Sequence, residues 1–150
     1  MTRITRYQGA VVRGDHILLI KHREHVSGRE YWVVPGGGRE AGEAEKECVE
    51  REVEEETNLT VAVKALLVDE PSWSDVGYER FKTYLCEPVR GVASPGREPE
   101  PEARQVYAIT EVGWFDLRNE TTWPPEVIVD PFTYPLLQRI RAALGFTENA

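Results

Sequence analysis

GGGREAGEAEKECVEREVEEETNL, residues 36–59, is the stretch whose reading decides the fold. Pro35 and the glycines after it stop the aromatic and β-branched run Tyr31 to Val34, so that run reads as a short strand. Gly36 to Gly42 is expected to be irregular. Ala44, Cys48, Val49 and Val53 then recur at helical spacing, which predicts a helix over about Glu43 to Thr57 with one apolar stripe. Asn58 stands where a left-handed stop is wanted, and asparagine tolerates that conformation nearly as well as glycine. Eight glutamates lie between positions 43 and 56, relieved only by Lys46 and Arg51. Glu43/Glu47, Glu50/Glu54 and Glu52/Glu56 repel at i,i+4, and Glu47/Glu50 and Glu52/Glu55 at i,i+3, at roughly 0.2–0.5 kcal/mol each. Glu54, Glu55 and Glu56 also crowd the negative end of the helix dipole. A bound cation reverses the sign of both penalties.

Outward from this segment, Tyr7 to Arg13 and His16 to His22 are β-branched runs joined by Gly14-Asp15, a hairpin. Leu59 to Val68 and Tyr78 to Cys86 read as a second strand pair around the loop Pro71 to Gly77. Glu87 to Ala103, with its prolines and glycines, is expected to be a long loop. Val106 to Phe115 reads as a last strand, and Tyr134 to Leu144 as a helix stopped by Gly145. The order βββ-α-ββ-β-α predicts one α+β domain over residues 1–150, a sheet with a helix on each face.

A formal charge of −8 and a pI near 5.0 argue against nucleic-acid and polybasic membrane partners, because both need a cationic face. The lone pair Cys48 and Cys86 has no metal-ligand spacing, and buried free thiols are the expectation. The Met1 to Arg6 segment leads into no apolar signal core and no apolar run reaches membrane length, so a soluble cytoplasmic protein is expected.

Glu52, Glu55 and Glu56 differ by three and four positions and project from one helical face. Carboxylates converging there make the oxygen-rich site that Mg²⁺ or Mn²⁺ prefers, and such a site fits phosphoryl chemistry. Arg51 is placed to hold a neighbouring carboxylate. Gly37 and Gly38 allow close backbone approach to a phosphate or a metal. His22 and Arg23 end a strand beside the loop, within reach of phosphate, and Trp73, between Pro71 and Asp75, is a base-stacking candidate. Trp32 and Trp114 are expected in the core. His16 and His25 show no partner spacing and read as ordinary strand or loop residues.

Gly37, Glu43, Arg51, Glu52, Val53, Glu55, Glu56 and Leu59 match the Nudix box GX5EX7REUXEEXGU at every spacing, where U is aliphatic. The single departure is Asn58 in place of the last glycine. On these residues the chain resembles the Nudix hydrolase (MutT-like) superfamily. The lead-in Tyr31 to Pro35 and the late Val112 to Phe115 resemble it as well. The resemblance implies an α/β/α sandwich with a mixed sheet, cleaving a nucleoside diphosphate linked to another moiety with Mg²⁺ or Mn²⁺. It implies Glu52, Glu55 and Glu56 as metal ligands, with Glu52 the base in some members, and the Gly36 carbonyl as a further ligand. Arg51 would orient the glutamates and Glu43 would pair across the loop-helix junction. A late-loop carboxylate joins the site in many members, here Glu98, Glu100 or Glu102, with Glu102 preferred.

Nucleoside triphosphates are placed slightly ahead of ADP-ribose and other nucleotide sugars, because the chain is short and has no long added arm. The competing readings are a non-catalytic nucleotide-binding or sensing module on the same fold, and an acidic face that is merely solvated or docks a protein. The terminal strand and helix leave surface for a homodimer.

Overall fold

A computed structural model describes residues 5–72, 78–97 and 101–146, with residues 101–103 traced as backbone only. The opening hairpin is β1 (Thr5–Arg13) and β2 (His16–Glu24), turning at Gly14 with φ 63°. These strands pair with each other only at Val12↔Ile17 and Arg13↔His16, then part. β1 goes on to bind the two-residue β4 (Gly36–Gly37) antiparallel and β6 (Arg80–Arg90) parallel, and β5 (Thr60–Pro71) lies antiparallel outside β6. β2 binds β3 (Glu30–Val33) on one edge and β7 (Tyr107–Asp116) on the other, both antiparallel. Among the described residues the result is a mixed sheet of seven strands that splays open between β1 and β2.

Period-two alternation sends side chains to two cores. Tyr7, Val11, Leu18, Tyr84 and Cys86 face α1 (Glu45–Thr57), where Cys48, Val49 and Val53 are fully buried. Val49 and Val53 contribute about 1.5–3 kcal/mol each by burial. Gly9 sets how closely α1 approaches, since a Cβ there would stand 2.7 Å from Val53 Cγ2. Ala10, Ile17, Leu19, Val34 and Phe115 face the opposite way, onto α4 (Thr133–Leu144) with Leu136, Leu137 and Ile140. The expected α/β/α sandwich is therefore the observed one, and Trp32 is a core residue packed edge-on to Phe115 at 5.1 Å. Trp114 is half-buried against the α1 core, beneath the Arg13 guanidinium.

Four expectations need correction. Gly36 to Gly42 is not wholly irregular, because Gly36 and Gly37 ladder onto β1, an interaction with no side-chain pattern to announce it. Helix α1 begins at Glu45, with Ala44 extended at its N-cap. β6 continues through Pro88 to Arg90, beyond Val11↔Cys86 where its pairing with β1 stops, so the missing proline N–H has no ladder partner to lose on that side. The long loop therefore shrinks to the segment after Arg90 and ends in a short helix α2 (Pro101–Val106). Between β7 and α4, where Pro124, Pro125 and Pro131 fall, lie a 3-10 turn at Glu120–Thr122 and a short helix α3 (Pro125–Ile128), with Pro125 at its first turn. Among the described residues no helix is long and apolar enough to cross a membrane.

Candidate active site

Cys48, Glu52 and Glu56 follow one another at i,i+4 on the face of α1 that meets the sheet, so the buried stripe changes from apolar to acidic halfway along the helix. Glu52 is 1% exposed and Glu56 fully buried. Their carboxylates come to rest against the β4 glycines. Gly36 N–H donates to Glu56 Oε1 at 2.8 Å. A Cβ on Gly37 would stand 2.6 Å from the Glu52 carboxyl carbon, so only glycine leaves room for that carboxylate. Gly36 is pressed as tightly on β1, where a Cβ would meet Gln8 Cα at 2.6 Å.

Arg51 ties these acids together. Its Nε donates to Glu43 Oε2 at 2.6 Å and Nη2 to Glu43 Oε1 at 3.0 Å, a two-pronged pair across the loop-helix junction. Nη1 donates to Glu52 Oε1 and Glu55 Oε2, both at 3.1 Å, and Nη2 also reaches the Gly38 carbonyl at 3.3 Å. The bond to Glu43 holds the guanidinium well above its ordinary pKa against the opposing effect of burial, with Glu52 and Glu55 adding to it. The same bond holds Glu43 below the usual carboxylate range. Three of the four remaining glutamates also find partners: Glu45 accepts from Tyr84 and Lys82, Glu47 from the Ala44 N–H, and Glu50 from the Val63 N–H. The like-charge repulsion read from the sequence is thus offset in part by the fold itself.

Beyond Gly36 the splayed strands open a cavity of about 340 Å³. Tyr31, Tyr78, Phe81, Tyr107 and Phe132 give it aromatic walls, and Arg6 and His22 are among its polar ones. Arg6 links the two halves of the site. Its Nη2 donates to the Val34 carbonyl at 2.8 Å and its Nε to Gln8 Oε1 at 3.1 Å. Burial works against its charge, but Tyr78, Glu56, Tyr107 and Glu52 outweigh that and raise its pKa. His22 is 4% exposed, lies stacked on Tyr107 with ring centroids 4.0 Å apart, and keeps Nε2 buried with no hydrogen-bond partner among the described residues. Burial first, and the Arg6 charge second, push its imidazole from 6.5 down to about 3.

A neutral buried His22 has a stability consequence. Its folded pKa lies below the unfolded value, so its contribution is fully present above pH 6.5 and is lost as pH falls toward about 3. Between pH 6.5 and about pH 5 the parent is expected to lose about 1.5 kcal/mol more than His22→Phe, which keeps the stacking on Tyr107. Urea unfolding of both proteins at the two pH values measures this. Parallel losses would show that His22 is not held neutral.

A profile of the NUDIX domain matches residues 4–130. The chain belongs to the Nudix family. An ADP-ribose pyrophosphatase of Methanocaldococcus jannaschii is 30% identical over 113 residues, which is 74% of this chain and 60% of that protein. The Nudix chain therefore spans less than two thirds of that relative's length. A NUDIX hydrolase from Nitrosomonas europaea has a similar structure, with a TM-score of 0.71 at 16% identity over 93% of this chain and 89% of that one. An ADP-ribose pyrophosphatase from Streptococcus suis gives 0.65 at 22% identity over 95% and 92%. At these identities the two structures speak for the Nudix fold alone.

The Nudix box residues suit a hard divalent cation: the donors are carboxylate oxygens, and the absent side chain at Gly37 leaves the Glu52 carboxylate its space. The structure brings Gly36, Gly37, Gly38, Glu43, Arg51, Glu52, Glu55 and Glu56 together, as expected from the sequence. It does not bring Arg23 to the cavity: that side chain is exposed, and its strand neighbour His22 lines the wall instead. Trp73, Glu98 and Glu100 lie outside the described residues, and Glu102 is placed only by the backbone of α2. Arg6, Tyr31 and Tyr107 were missed as site residues. The only signal for them is that β1 pairs the glycine strand while β3 and β7 flank β2, which needs the strand order to be known. His16, with Asp15 and Asp116, forms a separate acidic cluster beside the β1–β2 turn, at the other end of β1 from Gly37. Asp15 there is already paired with Arg118 at 3.3 Å.

Proposed function

We propose that this chain hydrolyses a phosphoanhydride bond in a nucleoside diphosphate-linked substrate, with Mg²⁺ or Mn²⁺ held by Glu52, Glu55 and Glu56. The observation that carries the reading is the pair Glu52 and Glu56, buried against the Gly36-Gly37 backbone beside the Arg51 guanidinium. Burying two carboxylates side by side is costly and has no packing rationale, whereas it is what a cation site requires. When bound, the cation neutralises phosphate oxygens and lowers the pKa of an attacking water. Gly36 N–H and Arg51 fix the rotamers of Glu56 and Glu52, so the acids are preorganised. Arg6, between the acids and the aromatic cavity, offers a positive charge to the phosphate chain, and Tyr31, Tyr107 and Tyr78 offer ring faces to the base. The Gly36 carbonyl and Glu102 are proposed as further ligands, and Gly37, Gly38 and Trp73 as substrate contacts.

Water adds to one phosphorus and the bridging oxygen leaves with the other phosphate, giving a nucleoside monophosphate and a second phosphorylated product or pyrophosphate. The name of the Methanocaldococcus relative puts ADP-ribose first in the order of testing, with nucleoside triphosphates next. A panel of nucleoside triphosphates, ADP-ribose, dinucleoside polyphosphates and NADH, assayed with Mg²⁺ and phosphate-product detection, tests the proposal. Turnover of at least one is expected. Saturable binding with no turnover would favour the nucleotide-sensing module instead.

A further inference from the structure

The C-terminal end of α1 carries the catalytic acids, and its last carbonyls are satisfied in an unusual way. A helix end leaves four C=O groups without intrahelical donors. Here the Glu54 carbonyl accepts from Asn58 N–H at 2.9 Å, the αL cap expected of a residue with φ 61°. The next three carbonyls are all taken by one distant segment: Glu55 O by Arg97 N–H at 2.8 Å, Glu56 O by Gly96 N–H at 2.9 Å and Thr57 O by Ser94 N–H at 2.9 Å. The approach is backbone on backbone. A Cβ on Gly96 would overlap the Glu55 carbonyl oxygen and stand 2.7 Å from the Glu56 carbonyl carbon.

Asn58 fastens this segment a second time. Its Nδ2 donates to Ser94 Oγ at 2.9 Å, and it also reaches the Pro95 carbonyl at 3.3 Å and the Ser94 carbonyl at 3.4 Å. The glycine of the Nudix box supplies the left-handed turn and nothing more. Asparagine supplies the same turn and adds an amide tether, so the one departure from the motif has a structural use. The tethered segment delivers the Arg97 side chain, with Arg104 of α2, to an open cleft of about 510 Å³ whose other walls include Glu55 and Asn58. Two guanidinium groups beside a glutamate of the cation site are suited to an anionic phosphate.

We propose that Asn58 is a positioning residue that clamps residues 94–97 across the end of α1, and that the clamp sets Arg97 beside Glu55 as a subsite for the terminal phosphate of the substrate. The subsite rests on the phosphoanhydride reading above; the clamp does not.

The decisive variant is Asn58→Gly, which keeps the backbone free to hold φ 61° and removes only the tether. Amide hydrogen exchange reads the clamp directly. The Ser94, Gly96 and Arg97 amides are expected to exchange about tenfold faster in Asn58→Gly, the scale of one lost hydrogen bond. Unchanged protection at these amides overturns the clamp. Calorimetric titration with inorganic pyrophosphate in the presence of Mg²⁺ reads the subsite without requiring turnover. Arg97→Gln is expected to weaken pyrophosphate binding by about tenfold and Asn58→Gly by a few fold, with the double variant no weaker than Arg97→Gln, because Asn58 acts through the segment that carries Arg97. No binding by the parent, equal affinity in all four proteins, or additive losses in the double variant would overturn the subsite. A parent that binds pyrophosphate but turns over nothing in the substrate panel would sink the hydrolase reading and leave the subsite standing.

Discussion

Glu56→Gln is expected to fold as well as the parent and to lose Mg²⁺-dependent hydrolysis by at least about 10²-fold, more than the 10–100-fold typical of groups that only support a metal ligand. Glutamine is nearly isosteric and keeps an oxygen to accept the Gly36 N–H, so the local backbone has no reason to move. What it removes is one of the negative charges packed beside Glu52 within a buried site. In the absence of metal that removal relieves repulsion, so the metal-free variant is expected to be no less stable than the metal-free parent. Mg²⁺ reverses the order. At a hundredfold excess over Kd a cation that prefers the native state stabilises by about 2.7 kcal/mol, roughly 5–10 °C in Tm for a chain of this size. The parent should show that shift and Glu56→Gln should lose most of it. Calorimetric scans of both proteins with Mg²⁺ and with chelator, beside an activity assay, make the comparison. Equal Mg²⁺ shifts with equal rates would remove Glu56 from the site.

The same residue shows what was legible in the sequence and what was not. The spacing of Arg51, Glu52, Glu55 and Glu56 sufficed to propose their convergence, since i,i+3 and i,i+4 positions share a face whatever the rest of the fold does. Asn58 as the helix stop followed equally from local chemistry, and its φ of 61° agrees. Burial did not follow. A run of glutamates reads as a solvated face, yet Glu52 and Glu56 continue the Cys48 row at i,i+4 and Val49 and Val53 lie alongside, so the acids were on the core side of the helix from the start. Only the close approach at Gly9 and Gly37, fixed by packing of α1 on β1 and β4, turns that alignment into a site. The aromatic cavity was less legible still. Arg6, His22, Tyr31 and Tyr107 sit on four strands whose proximity depends on where β1 and β2 part, and a bulge at Thr110 of β7, opposite Lys21 and His22, shifts which residues of β7 face inward. Along β2 the alternation is unbroken, and it puts His22, rather than Arg23, on the wall. The segment 94–97 read as part of a structureless loop because its hydrogen bonds go to helix carbonyls far away in sequence.

Arg51→Lys is expected to destabilise the metal-free protein by on the order of 3 kcal/mol, although it conserves the charge. Arg51 uses all three guanidinium nitrogens at once: Nε and Nη2 on Glu43, Nη1 on Glu52 and Glu55, and Nη2 again on the Gly38 carbonyl. A lysine ammonium is a point charge that cannot span Glu43 and the Glu52/Glu55 pair from one rotamer. The scale is that of a buried ion pair, because the Glu43 and Glu52 side chains are only 12% and 1% exposed and Arg51 itself 21%. The loss should depend on metal in a way that an ordinary structural salt bridge would not. Mg²⁺ on the proposed ligands Glu52, Glu55 and Glu56 would supply positive charge to two of the acids that Arg51 serves, so saturating Mg²⁺ should return part of the lost stability, while Glu43 stays without its fork. A double-mutant cycle with Glu43→Gln separates the two parts. The Arg51–Glu43 coupling should persist in Mg²⁺, and the remainder should shrink. Urea midpoints for the four proteins of the cycle, with Mg²⁺ and with chelator, supply the numbers. A loss in Arg51→Lys that is identical under both conditions would mean that Arg51 braces the loop-helix junction through Glu43 alone and does not compensate the charges of the cation site.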